Sequence, residues 1–261
     1  MRTIAIMNQK GGAGKTTTAV NVAAAMGELE KRVLVLDLDP QRSATDWLVG
    51  RNGDRGEDRG LYDCLVNNET ITTHVYQTNT AGVELVPATD WLLGADKALA
   101  MEAGAEAILK ETLAELPKER WDFVLLDCPP SLGFLSVSAL VAADDVLVPV
   151  EAEYMALAGL ASLLRSIERV QRRLNPQLSL SSVLVCKVDG RKNLAKDVMS
   201  ALSSRFEGVL LTTVVRDNVR LAEAPSFKEP ITTYAPKSAG AEDYRAVAKE
   251  LLARYETTRG A

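Results

Sequence analysis

One run near the start of the chain, Lys10-Gly11-Gly12-Ala13-Gly14-Lys15-Thr16-Thr17, constrains the possible folds more than any other stretch. An apolar segment, Ile4 to Met7, leads into it and an alanine-rich segment leads out, which is the pattern of strand, glycine turn and helix. Glycines at 11, 12 and 14 let successive backbone N–H groups turn toward one anion without Cβ clashes. The helix that follows points the positive end of its dipole at the same place. In such a loop the final lysine reaches the β- and γ-phosphates of a nucleotide, and the next hydroxyl ligates Mg²⁺, which nominates Lys15 and Thr16. Lys10, Gly11, Gly12, Ala13, Gly14, Lys15, Thr16 and Thr17 together form the candidate phosphate-binding set. The general pattern G-x-x-x-x-G-K-S/T asks for glycine where this chain has Gln9, so the loop is a variant with a second lysine at its entrance.

The rest of the chain alternates strand and helix. Apolar runs at 33–37, 83–86, 123–127, 146–150, 181–186 and 209–215 read as strands, and 16–30, 60–66, 95–116, 134–143, 156–174, 192–205 and 241–255 as helices. Residues 50–60 read as a mobile polar loop and 216–240 as a loop. This alternation predicts an α/β fold, a mostly parallel twisted sheet with helices on both faces, formed by a single domain over 1–261. In such a sheet the ligand sits outside the carboxyl ends of the strands. Three aspartates fall there: Asp37 and Asp39 after the second strand, and Asp127 after the run Phe123-Val124-Leu125-Leu126. An unpaired buried carboxylate is costly, so these are not core filler. Beside a triphosphate they can hold Mg²⁺ through water or orient the attacking water.

Composition narrows the reading further. No run of about 18 apolar residues is present, which argues against a membrane span, and a strand at the first residues suggests neither a signal peptide nor an N-terminal DNA-binding module. Cys64, Cys128 and Cys186 show no C-x-x-C spacing and read as reduced, buried thiols of a cytosolic protein. The lone histidine, His74, reads as a surface or partly buried residue without a catalytic role. The net charge of −5 argues against a generally basic surface, yet residues 160–237 carry thirteen Lys and Arg against seven Asp and Glu. That local excess points to an anionic partner.

The glycine loop with its extra lysine resembles the deviant Walker A box of the ParA/MinD family of ATPases. Leu36-Asp37-Leu38-Asp39-Pro40-Gln41 resembles the family's Walker A′ box, Val124-Leu125-Leu126-Asp127 a Walker B strand, and Asp127-Cys128-Pro129-Pro130-Ser131-Leu132-Gly133 its D-x-P-P-S-L-G switch II segment. Glu153-Tyr154-x-Ala156-x-x-Gly159, the run from Asn218 to Ser226 and the ending Ser238-x-Gly240-Ala241-x-x-Tyr244 are similar to chromosomal ParA proteins of the Soj type. The resemblance covers nearly the whole chain. It departs at Ala13, where the family has valine, and at Gln41-Arg42-Ser43-Ala44-Thr45, where chromosome-segregating members frequently have Q-G-N-A-T.

The resemblance implies a P-loop NTPase fold and a cytoplasmic, nucleoid-associated ATPase using ATP and Mg²⁺. Such a protein forms a nucleotide-sandwich homodimer, binds nonspecific double-stranded DNA and positions a chromosome, plasmid or protein assembly. A ParB-like or other adaptor stimulates hydrolysis. The resemblance implies that Lys10 crosses the dimer interface to the partner's nucleotide, Asp39 positions the hydrolytic water, Asp127 and Thr16 bind Mg²⁺, and Asp37 supports that metal's water or Lys10. Adenine contacts are expected from Lys187–Gly190, from Arg216 and Asn218, and from Pro236 as an apolar wall. Cys186-Lys187-Val188-Asp189 lacks the asparagine of a guanine motif, which favours ATP. The family's DNA-contacting arginines lie in two regions that here hold Arg191 and Lys192, and Arg216 and Arg220, which makes these the candidates; Arg165, Arg169, Arg172 and Arg173, spaced along one helix, are weaker ones. No aromatics interleave with these residues, which disfavours stacking on single strands. Two other readings share the chemistry: a MinD-like membrane switch, and a metabolic enzyme that spends ATP. Mixed charge on the helix at 241–255 argues against the first, and the lack of suitably paired cysteines argues against an iron–sulfur version of the second.

Overall fold

The computed structural model describes residues 1–49, 59–153, 156–190 and 193–259. Arg191 and Lys192, Tyr154 and most of the polar loop at 50–60 lie outside the described residues. Seven strands form one sheet: β1 (Arg2–Ile6), β2 (Val33–Asp37), β3 (Tyr76–Gln77), β4 (Val83–Val86), β5 (Phe123–Asp127), β6 (Asp145–Glu151) and β7 (Ser179–Cys186). Their order is β3-β4-β2-β5-β1-β6-β7, with every pair parallel except the short edge strand β3 on β4.

The helices are α1 (Lys15–Glu28), α2 (Ser43–Leu48), α3 (Leu61–Val66), α4 (Ala95–Ala98), α5 (Ile108–Ala114), α6 (Phe134–Ala142), α7 (Ala156–Arg173), α8 (Asn193–Arg205), α9 (Val219–Phe227), α10 (Ile231–Tyr234) and α11 (Ala239–Arg259). Successive strand residues point to opposite faces. Ile4, Ile6, Val33, Val35 and Leu125 pack with α1, α2 and α11, while Ala5, Leu34, Leu36, Val124 and Leu126 pack with α5, α6 and α7. Both faces are covered, which is why β2 and β5 are apolar without alternation and buried along their whole length. Among the described residues no helix is long and apolar enough to cross a membrane.

Several local expectations are corrected. The helix read over 95–116 is broken into α4, a 3-10 turn at Ala105–Ala107 and α5. Gly104 stands at φ +77°, a left-handed conformation that stops helix propagation. The run at 209–215 does not become an eighth strand. It lies along β7, with Leu211 N donating to Val183 O at 2.9 Å and Val215 N to Val185 O at 2.8 Å. Between those bonds the Glu250 carboxylate of α11 takes the amides of Thr212 and Thr213, at 2.7 and 2.9 Å, and so interrupts the ladder. The segment 216–240 is not a loop: it holds α9, capped by the Asn218 side chain on Arg220 N, and α10. Helix α2 and strand β3 were not legible in the pattern. His74 is buried, not at the surface, because its Nε2 lies 3.0 Å from Glu69 Oε2 beneath a 3-10 turn at Ile71–His74. All three cysteines are free and buried, as expected.

Candidate functional site

The phosphate loop links β1 to α1. Asn8 fixes its entrance, donating from Nδ2 to Pro149 O at 2.7 Å and accepting from Lys10 N at 3.0 Å. Gly12 at φ +76° and Gly14 at φ +91° adopt the left-handed conformations that glycine favours. Gly14 is the N-cap of α1, no side chain caps that end, and the first turn carries no acidic residue. The first N–H groups of a 14-residue helix and its dipole therefore face the loop uncompensated. Lys15 is buried in the same turn.

The carboxylates meet because β2 and β5 are neighbours in register, with Asp37 opposite Asp127. Their environments differ. Asp37 Oδ1 accepts from Asp39 N at 3.1 Å, and Oδ2 accepts from the N–H and hydroxyl of Thr45, both at 2.8 Å. Asp37 thus ties the turn after β2 to the start of α2. Both oxygens accept there, so Asp37 organises the turn, and Oδ1 keeps a lone pair with which it could support a metal's water. Burial pushes its pKa up to about 6, against those hydrogen bonds. Neither oxygen of buried Asp127 makes a hydrogen bond of good geometry, although the Thr16 hydroxyl is near enough to favour its charged form. Burial first, and then the Asp37 charge, hold its pKa well above the usual carboxylate range, opposed by Thr16 and Lys15. A buried carboxylate with free lone pairs beside a phosphate loop fits a divalent cation. Asp39 lies next to this pair, with Oδ1 accepting from Gln41 N at 3.0 Å.

A cavity of about 950 Å³ opens over the loop. Gly12, Lys15, Thr16, Thr17 and Asp39 line one end, Trp47 a side, and Arg216, Asn218, Leu221 and Pro225 the far end. Of the expected adenine contacts, Lys187, Arg216 and Asn218 are on its wall, but Pro236 is not; the prolines that line it are Pro130 and, on α9, Pro225. The carbonyl of Pro236 accepts from Arg245 instead.

The cations are committed within the chain. Lys10 Nζ binds the carboxylates of Glu151 and Glu153, the latter at 2.7 Å. Lys187, in a left-handed conformation at the end of β7, donates to Gly12 O at 2.8 Å and to Glu151. Glu151 at the end of β6 therefore bridges two lysines beside the phosphate loop, a role its place in the sequence did not reveal. The pull of both lysines outweighs burial and lowers its pKa. Arg216 is held by Asp243, through its own N–H at 2.9 Å and its guanidinium at 2.7 Å, and by Glu242. Arg220 pairs with Glu223 at 2.9 Å and is 60% exposed. Arg165, Arg169, Arg172 and Arg173 lie on the exposed side of α7.

Comparison with known proteins gives concordant results. A family described as an AAA domain matches residues 1–180. The chain is 48% identical to the chromosome-partitioning ATPase Soj of Thermus thermophilus over 98% of its length and 97% of that protein's. It is 42% identical to the sporulation initiation inhibitor protein Soj of Bacillus subtilis over 96% of its length and 98% of that protein's. Its fold matches a structure of cobyrinic acid a,c-diamide synthase from Mycobacterium smegmatis with bound ATP analogue and magnesium, at 35% identity and a TM-score of 0.85, covering 99% of this chain and 97% of that one.

Proposed function

This chain belongs to the ParA/MinD family of partition ATPases, and from that footing we propose that it is a Mg²⁺-dependent, cytoplasmic positioning ATPase that acts on nucleoid DNA. The observation that carries the reading is the uncapped start of α1 above the buried Asp127 carboxylate. One end of the site offers N–H groups and Lys15 to phosphates, and at the other the Asp127 carboxylate offers lone pairs suited to a cation. Thr16 and Asp127 would hold Mg²⁺, which supplies charge neutralisation on the phosphate oxygens. Gly12, Gly14 and the first turn of α1 bind the phosphates. Asp39, beside the cavity, orients a water whose oxygen attacks the γ-phosphorus as the bond to the bridging oxygen breaks, giving ADP and inorganic phosphate.

Lys10 belongs to the dimeric state in this reading. It leaves Glu151 and Glu153 and neutralises charge on the nucleotide of a second copy, which ties dimerisation to ATP. DNA is then bound by the dimer through phosphate contacts that carry no sequence information, and an adaptor protein accelerates hydrolysis. The apolar face of α11 supports this reading over membrane attachment, because Tyr244, Val247, Leu251 and Tyr255 are buried in the core. The synthase similarity is weaker in identity than the partition relatives, which favours positioning over metabolic use of ATP.

The test uses fluorescent ATP titration, phosphate release and light scattering. Lys15→Ala should abolish ATP binding. Asp39→Ala should bind ATP normally, lose turnover by roughly 100-fold or more and accumulate an ATP-bound dimer. Adding Lys10→Ala to Asp39→Ala should return the scattering to that of a monomer. Normal ATP affinity in Lys15→Ala or normal turnover in Asp39→Ala would sink the assignment; an undiminished dimer in the double variant would remove Lys10 from the interface.

A further inference from the structure

The turn that carries Asp39 is anchored at two ends. At the front, Asp37 gathers Asp39 N and Thr45. At the back stands Arg42. Its backbone is left-handed, at φ 60° and ψ 26°, a region in which a Cβ is strained and glycine is at home. Its N–H donates to Asp39 O at 2.8 Å, and its carbonyl accepts from Asp46 N at 2.8 Å as the N-cap of α2. Nothing in those backbone bonds needs an arginine; glycine would make both at lower cost.

The side chain supplies the reason. It is only 15% exposed, and Nη1 donates to Asp90 Oδ1 at 2.6 Å. Asp90 opens a 3-10 turn, Asp90–Gly94, that follows β4. The same guanidinium stands 4.0 Å from Asp46, which lines the cavity. A long, flexible side chain is therefore ordered on a strained backbone three residues after the carboxylate that faces the cavity, and bridges that turn to a separate element. Strain kept beside a reacting group is commonly part of how the group is held.

We propose that Arg42 is a positioning residue for ATP hydrolysis: its bridge to Asp90 fixes the Asp39–Arg42 turn and holds the Asp39 carboxylate at the cavity. Asp39 itself is steadied by one hydrogen bond to its carboxylate, from Gln41 N, which belongs to the same turn. The Arg42–Asp90 bridge, whose Asp90 end is exposed, ties the Arg42 end of that turn to the segment after β4, beside a second tie in which Ala88 N donates to Thr45 Oγ1 at 2.9 Å. A small displacement of a group that orients a water is costly to rate and nearly neutral to nucleotide affinity. The inference rests on the ATPase reading and on Asp39 as the water-orienting residue.

The experiment compares the full-length protein with R42G, R42K, D90N and R42G/D90N, reading single-turnover ATP hydrolysis, affinity for a fluorescent ATP analogue and thermal midpoint, with D39A alongside. Glycine relieves the left-handed backbone while removing the bridge, so a purely structural arginine and a positioning arginine separate. R42G should lose turnover by roughly tenfold, keep ATP affinity within about twofold and hold or raise the midpoint. D90N should reproduce the loss, the double variant should be no slower than either single one, and R42K, able to reach Asp90 as a point charge, should recover part of the rate. Full turnover in R42G, or losses that multiply in the double variant, overturns the bridge while an inactive D39A leaves the ATPase reading standing. A D39A variant with normal turnover overturns both.

Discussion

Asp37 and Asp127 stand opposite each other in the β2–β5 ladder, both fully buried. Like charges in a dry place repel, and burial disfavours ionisation of each, so the folded protein binds protons there that the unfolded chain releases. With Asp37 raised from 3.8 to about 6, this contribution to stability is present at low pH and declines as pH rises from about 4 to about 6. Thermal midpoints in magnesium-free buffer should therefore fall between about pH 4.5 and about pH 6.5. Asp127→Asn removes the second of these carboxylates, whose own pKa is held up by burial and by the Asp37 charge, so it should lessen the decline and raise the midpoint at about pH 7.5 by roughly 3–6 °C, the yield of about 1–2 kcal/mol at this chain length. A variant as pH-sensitive as the parent would refute the account. Asp39 and Asp127 could be nominated from sequence because an acidic residue ending an apolar strand beside a phosphate loop has few other uses. The task of Asp37 could not, since it depends on the amides of α2, a helix that begins at a left-handed arginine and leaves no pattern.

At the scale of elements, the last turn of α1 makes an approach that involves no side chain. A Cβ on Gly27 would lie 2.1 Å from Ala81 O, on the turn that leads into β4, and Gly82 beside it stands at φ +73°. Helix backbone thus rests directly on turn backbone at the C-terminal end of α1. Gly27→Ala should cost about 1–3 kcal/mol in chemical denaturation, because carbonyl and helix must separate. Gly94→Ala, with nothing within 4 Å, is the control and should change little. Sequence alone shows only a glycine near a helix end. The long buried strands and α1 were legible because one residue type repeats at one period. The broken helix at 95–116 and α9 were not, because one left-handed glycine and one capping asparagine decide them without leaving a periodic pattern, and the interrupted ladder at 209–215 was not, because its cause lies far along the chain. That cause is Glu250 on Thr212 and Thr213.

For the whole molecule, the charge map separates two arginines that sequence grouped together. Arg216 is clamped to α11 by Asp243 and Glu242, whereas Arg220 has its Glu223 partner at the protein surface. A phosphate can compete for the second more readily than for the first. In gel shifts of the ATP-bound dimer on two unrelated duplexes, Arg220→Ala should weaken both equally. It should also lower the salt slope by about 0.9 for each DNA phosphate that a subunit no longer neutralises. Arg216→Ala should instead lower thermal stability, since the Asp243 carboxylate is left buried without its guanidinium. Equal slopes for Arg220→Ala and the parent protein would exclude Arg220 from the DNA face.

The sheet ends differently on its two sides, and the difference bears on how copies of this chain can associate. On one side β3 is two residues long. On the other, β7 is covered by the 209–217 segment, which is itself turned away by Glu250. A growing fibril needs a long, open strand margin on which the next molecule can lay its own backbone. Among the described residues neither margin offers one. If copies pair at the nucleotide site, as proposed, that pairing therefore has no sheet margin on which to continue into fibres by strand addition.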